Sequence, residues 1–116
     1  MHTDILSATT LIGDGVKNAA GEDLGKLEEI MLDVESGRIT YGVLSFGGFL
    51  GMGDKLFAVP WSAFDLNKEE KSFYLNVNKE QLENAPGFDK NNWPDMADLK
   101  WGRSIHDYYG VTPYWN

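Results

Sequence analysis

The sequence predicts a mainly β protein built as one small β-barrel, with a short helix and an aromatic-rich C-terminal extension. Between residues 10 and 77, short segments alternate apolar and polar side chains and are separated by glycine-containing turns. No long helical segment lies between them, which disfavours a parallel βαβ arrangement. The 116 residues are enough for one domain with its own core.

The first half of the barrel is predicted from an alternation of apolar and polar residues that is interrupted at one point. Thr10–Val16 is a modest strand candidate, and a turn follows at residues 18–21. Leu24–Val34 reads as a second strand, but Glu28 and Glu29 place two charged residues side by side within it. Such an interruption of a two-residue period is typical of a β-bulge, which bends a strand as barrel closure requires.

In the second half of the barrel, the sequence predicts further short strands joined by turns. Ser36-Gly37 is a hairpin turn, Pro60 is expected at a strand end or edge, and residues 67–71 form a polar turn. Together the alternating faces predict the barrel core. Its members are expected to be Ile30, Leu32, Val34, Ile39, Tyr41, Val43, Val59, Phe73, Leu75 and Val77.

The character of the chain changes after residue 78. Asn78 and Gln81 resemble a capping box, so a short helix is expected there and should end before Pro86. We therefore divide the chain into a barrel domain, residues 1–86, and an extension, residues 87–116. Seven of the fifteen aromatic residues lie in the extension, so it should pack on the barrel or on a partner subunit.

A helical turn is expected inside the extension. Trp101, Ile105 and Tyr108 follow the i, i+4, i+7 spacing of one helix face, and Gly110 is placed to end that helix.

Composition excludes several classes of function. The net charge is −8 and only two arginines are present, which disfavours nucleic acid and anionic membrane surfaces as partners. The absence of cysteine excludes thiolate chemistry and cysteine-based metal sites, and two histidines are too few for a three-histidine site. No apolar run is long enough to span a bilayer and no signal peptide is visible, so we expect a cytoplasmic protein.

Three motifs invite a chemical interpretation that their details disfavour. The glycine-rich loop at residues 47–55 lacks the Gly-Lys-Ser/Thr sequence and following helix of a phosphate-binding loop, so it is expected to be an inter-strand loop using positive φ. Ser104, His106 and Asp107 are triad residue types, but neighbours this close on a helix point apart, so His106 is expected to be a surface histidine.

The third motif is a loose series of oxygen ligands: Asp89, Asn91, Asp95 and Asp98. A calcium-binding EF-hand loop needs a glycine and a glutamate at the positions of Pro94 and Lys100. We therefore predict no catalytic residues, no metal site and no cofactor.

A series of residues across the barrel resembles the PRC-barrel family. They are Val16, Gly21, Glu22, Leu24, Gly25, Asp33, Gly37, Ile39, Tyr41 and Val43, followed by Gly47, Gly48, Gly51, Gly53 and Ala58-Val59-Pro60-Trp61. The resemblance covers about residues 10 to 80 and implies a small, strongly bent antiparallel β-barrel that acts as an adaptor or assembly module. The family includes the cytoplasmic domain of the photosynthetic reaction centre H subunit, and it implies no shared catalytic residues.

The sequence thus predicts a non-enzymatic protein–protein interaction module, expected to be a homodimer with the extension as its clasp. The side chains expected to make the contact are apolar or aromatic. They are Phe49, Leu50, Met52, Trp93, Trp101, Tyr108, Tyr109, Tyr114 and Trp115. The alternative is a small-ligand-binding domain with an aromatic groove between barrel and extension, lined by Trp61, Trp93 and Trp101.

Overall fold

The computed structural model describes residues 5–47, 54–67, 69–70 and 72–116. Within these residues, six strands and three helices follow the chain, with one 3-10 turn between the fourth and fifth strands. They are α1 Ala8–Leu11, β1 Gly15–Lys17, β2 Asp23–Asp33, β3 Arg38–Gly47, β4 Asp54–Pro60, the 3-10 turn Trp61–Ala63, β5 Phe64–Asn67, β6 Ser72–Leu75, α2 Lys79–Glu83 and α3 Leu99–Tyr109.

The strands form one curled sheet with the order β4-β3-β2-β1-β6-β5. Neighbouring strands run antiparallel, except that β1 pairs with β6 in parallel, with Val16 opposite Phe73. The sheet curls into a half-barrel around an apolar core, so the predicted mainly β barrel fold is confirmed, with one parallel pair added to the antiparallel arrangement.

The predicted bulge in β2 is confirmed, and a second bulge lies on β3. Leu27 pairs with Leu44 and Glu29 pairs with Val43, so Glu28 is an extra residue on β2. Further along, Met31 pairs with Tyr41 but Leu32 pairs with Ile39, which leaves Thr40 as an extra residue on β3. The Thr40 hydroxyl donates to the carbonyl of Met31 at 3.0 Å and stabilises this second irregularity.

Two predicted core residues near the β2–β3 hairpin are wrong. Leu32 follows Ile30 on the same face of β2, because the extra residue lies on β3, but it lies at the hairpin end of the sheet, beyond the barrel core, and Val34 is already in the turn. Leu32 is 57% exposed and Val34 is 92% exposed, so neither belongs to the core. Of the remaining predicted core residues, Val43, Val59, Phe73 and Leu75 are buried, and Ile30, Ile39 and Val77 are half-buried.

Tyr41 is buried, but outside the barrel core in which the sequence placed it. It belongs to a second cluster, with Ala58 and Ile105, beneath α3. The inner face of β3 contains Gly42, where an added Cβ would lie 2.8 Å from the Phe64 ring. β3 is therefore buried on both faces, with the barrel core on one side and α3 on the other.

The predicted strand Thr10–Val16 is wrong at its N-terminal end. Residues Ala8–Leu11 form a helical turn, and β1 begins only at Gly15. Gly13 adopts a φ of 96°, which ends any extended run before it, and its N–H donates to the Leu27 carbonyl at 2.7 Å. Leu11 reaches the barrel core from the helical turn instead of from a strand.

Four further local predictions are confirmed. The Asn18 side chain accepts hydrogen bonds from the N–H groups of Ala20 and Glu22 in the turn at 18–21. Gly37 closes the β2–β3 hairpin with a φ of 76°, and β4 ends at Pro60. Asn78 and Gln81 form a full capping box at the start of α2.

Candidate functional site

The extension crosses the sheet edge before it covers the outer face of the barrel. Phe88 forms an antiparallel bridge with Leu56 of β4, with N–H to carbonyl distances of 2.8 and 2.9 Å. This bridge satisfies part of the edge of β4, which is a terminal strand of the sheet. The Trp93 ring then packs on Phe88, with ring centroids 5.0 Å apart.

Helix α3 ends at Gly110 as the sequence predicts, and it begins after an N-cap, Asp98, that was not predicted. The Asp98 carboxylate accepts the N–H of Lys100 at 2.9 Å, and Gly110 adopts the left-handed conformation with a φ of 71°. The buried face of the helix contains Gly102, Ile105 and His106. Gly102 allows the helix to approach the sheet closely, because a Cβ there would lie 2.7 Å from the Tyr41 hydroxyl oxygen.

An aromatic cluster forms around Tyr41, and we call it the Tyr41 cluster. The Tyr41 ring contacts Trp101 and Tyr114 edge-on, at centroid distances of 5.3 and 5.9 Å. Trp115 packs edge-on against His106 at 5.3 Å and against Tyr114 at 4.9 Å. These contacts attach the last residues of the chain to its own barrel.

His106 is buried, at 1% exposure, which corrects its prediction as a surface histidine. Its Nδ1 lies 2.7 Å from the Gly102 carbonyl oxygen and donates to it, because a carbonyl can only accept. The Ser104 hydroxyl donates to the Trp101 carbonyl at 2.6 Å, and Asp107 is exposed. Ser104, His106 and Asp107 thus do not form a relay with one another.

Burial also changes the acidity of two tyrosines near α3. Desolvation raises the pKa of Tyr41 well above 10, and proximity to Tyr114 adds to the increase. Desolvation likewise raises the pKa of Tyr109, with a smaller effect from Tyr108. Within the described residues, neither buried hydroxyl has a hydrogen-bond partner. Both side chains therefore stay neutral in the folded protein across the ordinary pH range.

Two carboxylates of the oxygen-ligand series accept hydrogen bonds from nearby backbone N–H groups. Asp95 accepts the N–H of Ala97 at 3.0 Å, and Asp98 caps α3. In the ranges that the structure describes, no group of three or more histidine, aspartate or glutamate side chains could hold a metal ion. Nor is any helix in those ranges long and apolar enough to cross a membrane.

The predicted contact residues fall into three groups. Phe49, Leu50 and Met52 lie outside the described residues, as does most of the glycine-rich loop. Trp101, Tyr109, Tyr114 and Trp115 are half-buried against the barrel or one another, whereas Trp93 and Tyr108 are each 40% exposed.

A cleft of about 300 Å³ lies between barrel and extension, beside the Tyr41 cluster. Trp61 lines it, as the predicted aromatic groove requires, but Trp93 and Trp101 do not. Arg38 and His106 line it instead, and neither was predicted from the sequence to bind a ligand. Gly102, His106 and Tyr109 follow the i, i+4, i+7 spacing of one helix face. Next to Trp101 and Ile105, this spacing is the sequence signal that could have identified the buried face of α3.

The sheet topology and the covered outer face define a small β-barrel domain with an added C-terminal layer. Comparison with protein families gives a match to the PRC-barrel domain over residues 3–82. Since this match covers well over half of the 116 residues, the chain belongs to the PRC-barrel domain family. A comparison with curated proteins gives no match.

Proposed function

We propose that this chain is a non-catalytic protein-interaction and assembly module that acts as a homodimer in the cytoplasm. One observation carries the proposal: large apolar side chains stay exposed in the extension although much of it packs on the barrel. Trp93 is 40% exposed and Leu99 is 52% exposed, while Met96 between them packs on the Tyr41 cluster. We call residues 93–99 the docking segment. Aromatic and aliphatic side chains of this kind form the centres of protein interfaces.

The outer face of α3 supports placing the contact on the docking segment instead of on the helix. At 100° per residue, Lys100, Arg103, Ser104 and Asp107 share the side opposite the buried face. All four are polar and exposed, so this side of α3 is a solvent-facing surface. Tyr108 is exposed on the helix margin away from Leu99, and its hydroxyl already donates to the Gln81 carbonyl.

The charge of the chain supports an apolar contact. Two copies, each with a net charge of −8, repel one another at low ionic strength. Salt screens this repulsion, and an apolar contact does not weaken with added salt. A dimer formed through the docking segment should therefore become stronger when the salt concentration increases.

The test compares two leucines of similar exposure in the full-length chain. Leu99→Glu places a carboxylate in the first turn of α3, where the helix dipole favours it, and Leu32→Glu introduces the same charge on β2. Light scattering at high micromolar concentration should give a dimer for the wild type and for Leu32→Glu, and a monomer for Leu99→Glu. Thermal unfolding should be similar for all three at low concentration.

Two results would contradict the proposal. A wild-type chain that stays monomeric at every concentration and salt level excludes the homodimer. A dimer that dissociates with Leu32→Glu and survives Leu99→Glu places the interface on β2 instead of on the docking segment.

A further inference from the structure

The cleft between barrel and extension combines side chains that are unusual for this chain. It is lined by Arg38, Trp61, Ser62, His106, Thr112 and Tyr114, among others. The chain has 18 acidic residues and only two arginines, yet among the described residues no aspartate or glutamate lines the cleft and one of the arginines does. The cleft therefore differs from the acidic remainder of the chain, and this difference favours an anionic ligand.

Arg38 is held in place with donors to spare. Its Nη1 donates to the carbonyl of Tyr114, which ties the guanidinium to the C-terminal residues. A guanidinium carries five N–H groups in a planar fork, so one such bond leaves donors for a ligand. Among the described residues Arg38 forms no ion pair within 4.0 Å.

Asp33 is the acidic residue paired with Arg38 across the β2–β3 hairpin, and its carboxylate interacts with the backbone of the hairpin turn. It accepts the N–H of Glu35 at 3.0 Å, and this bond is the main reason why its pKa is lowered. Further lowering comes from Ser36 and, to a smaller extent, from Arg38. Since no described carboxylate lies within 4.0 Å of the Arg38 guanidinium, Asp33 leaves it open to a second anion.

The remaining lining supplies further polar groups and flat apolar walls. Because His106 Nδ1 donates to Gly102, its Nε2 is the ring nitrogen left for a ligand. The lining also includes the hydroxyl-bearing residues Ser62 and Thr112 and the aromatic residues Trp61 and Tyr114. A volume of about 300 Å³ is at the lower end of the range for small-molecule sites.

We propose that this cleft binds a small aromatic carboxylate, with Arg38 pairing the carboxylate and Trp61 and Tyr114 packing on the ring. A carboxylate matches the planar fork of arginine, since its two oxygens accept parallel N–H bonds. The ring fits between aromatic walls in the offset or edge-on arrangements that such pairs prefer. The site does not include the docking segment, so it stands or falls separately from the homodimer.

The probe is benzoate, and its neutral isostere benzamide is the matched control. In titrations followed by amide chemical shifts, benzoate should bind the full-length chain at least tenfold more tightly than benzamide and should shift Trp61 and Ser62. Arg38→Gln should reduce benzoate affinity at least tenfold. Arg103→Gln should leave it unchanged, because the Arg103 side chain lies over Trp115 and does not line the cleft.

Arg38→Gln also removes the contact between Arg38 and Tyr114, which could affect binding indirectly. A second variant controls for this effect. Ser62→Leu narrows the cleft without removing that contact, and it should also abolish benzoate binding. Equal affinity for benzoate and benzamide would overturn the proposal, as would equal losses in Arg38→Gln and Arg103→Gln. Tighter binding of inorganic phosphate than of benzoate would assign the cleft to phosphate and would also contradict the proposal.

Discussion

Gly102 of α3 faces the hydroxyl of Tyr41 on β3 so closely that a Cβ on the glycine would lie 2.7 Å from the hydroxyl oxygen. The same Cβ would lie 3.0 Å from the Trp115 ring. One small residue thus allows a helix from the extension, a strand of the barrel and the end of the chain to meet. The Tyr41 hydroxyl at this point is buried and has no hydrogen-bond partner among the described residues.

Replacing Tyr41 with phenylalanine should stabilise the fold by about 1 kcal/mol, because it removes a buried hydroxyl that has no hydrogen-bond partner among the described residues. Tyr108→Phe is the matched control. The Tyr108 hydroxyl donates to the Gln81 carbonyl, so its loss should destabilise by about 1 kcal/mol. Urea unfolding of both variants measures the difference, and two shifts of the same sign would contradict the expectation.

Gly102→Ala should destabilise the protein through Tyr41. Overpacking costs about 1–3 kcal/mol, and because the new methyl group would clash with both Tyr41 and Trp115, we expect a cost above the gain of about 1 kcal/mol that alanine brings to a helix interior. In the Tyr41→Phe background the clash is smaller, so the same substitution should cost less. A double-mutant cycle should give a coupling of at least about 0.5 kcal/mol, whereas additive effects would mean that the helix moves away from Tyr41 as a whole.

The sequence predicted the bulge at Glu28 but not the bulge at Thr40, and the physical reason differs between the two. In a regular strand one of two adjacent residues faces the core, and a buried glutamate there would be costly, so the glutamate pair marks the break in β2. Thr40 fits a strand alternation without conflict, and its irregularity depends on a hydrogen bond to Met31 on the neighbouring strand. Such a pairing change is not encoded in the local pattern.

The burial of His106 was missed for a similar reason. The residues that cover it, Tyr41 and Tyr114, lie on β3 and at the end of the chain, so neither is a neighbour on α3. The helix itself was predicted from Trp101 and Ile105, and its end at Gly110 was correct. The cleft combines Arg38 with residues more than 60 positions later, so local spacing could not predict it.

Truncation to alanine should affect stability very differently at a buried leucine and at an exposed one. Leu44 is fully buried in the barrel core, so Leu44→Ala should cost about 2–5 kcal/mol, the range for cavities left by buried aliphatic residues. Leu32 is more than half exposed beyond the Thr40 bulge, and Leu32→Ala should stay within about 0.5 kcal/mol. Chemical denaturation measures both, and a cost above 1 kcal/mol at Leu32 would contradict its position in the fold.

Alkaline pH should destabilise the protein through its two buried tyrosines. Folding raises the pKa of Tyr41 and Tyr109, so the unfolded chain releases these protons first as the pH rises past 10. The unfolded state then binds fewer protons than the native state, and stability must fall with increasing pH. The contribution is complete below pH 10 and declines above it, by at most about 1.4 kcal/mol per pH unit for each tyrosine.

The measurement is the urea midpoint of the wild type and of a Tyr41→Phe, Tyr109→Phe double variant at pH 8, 10, 11 and 11.5. Every other titratable group is the same in both proteins, so the difference between the two profiles isolates the buried hydroxyls. The double variant should lose less stability than the wild type between pH 10 and 11.5, because neither phenylalanine can release a proton. Parallel profiles would show that both hydroxyls reach water in the folded chain, and this would contradict the burial of Tyr41 beneath α3.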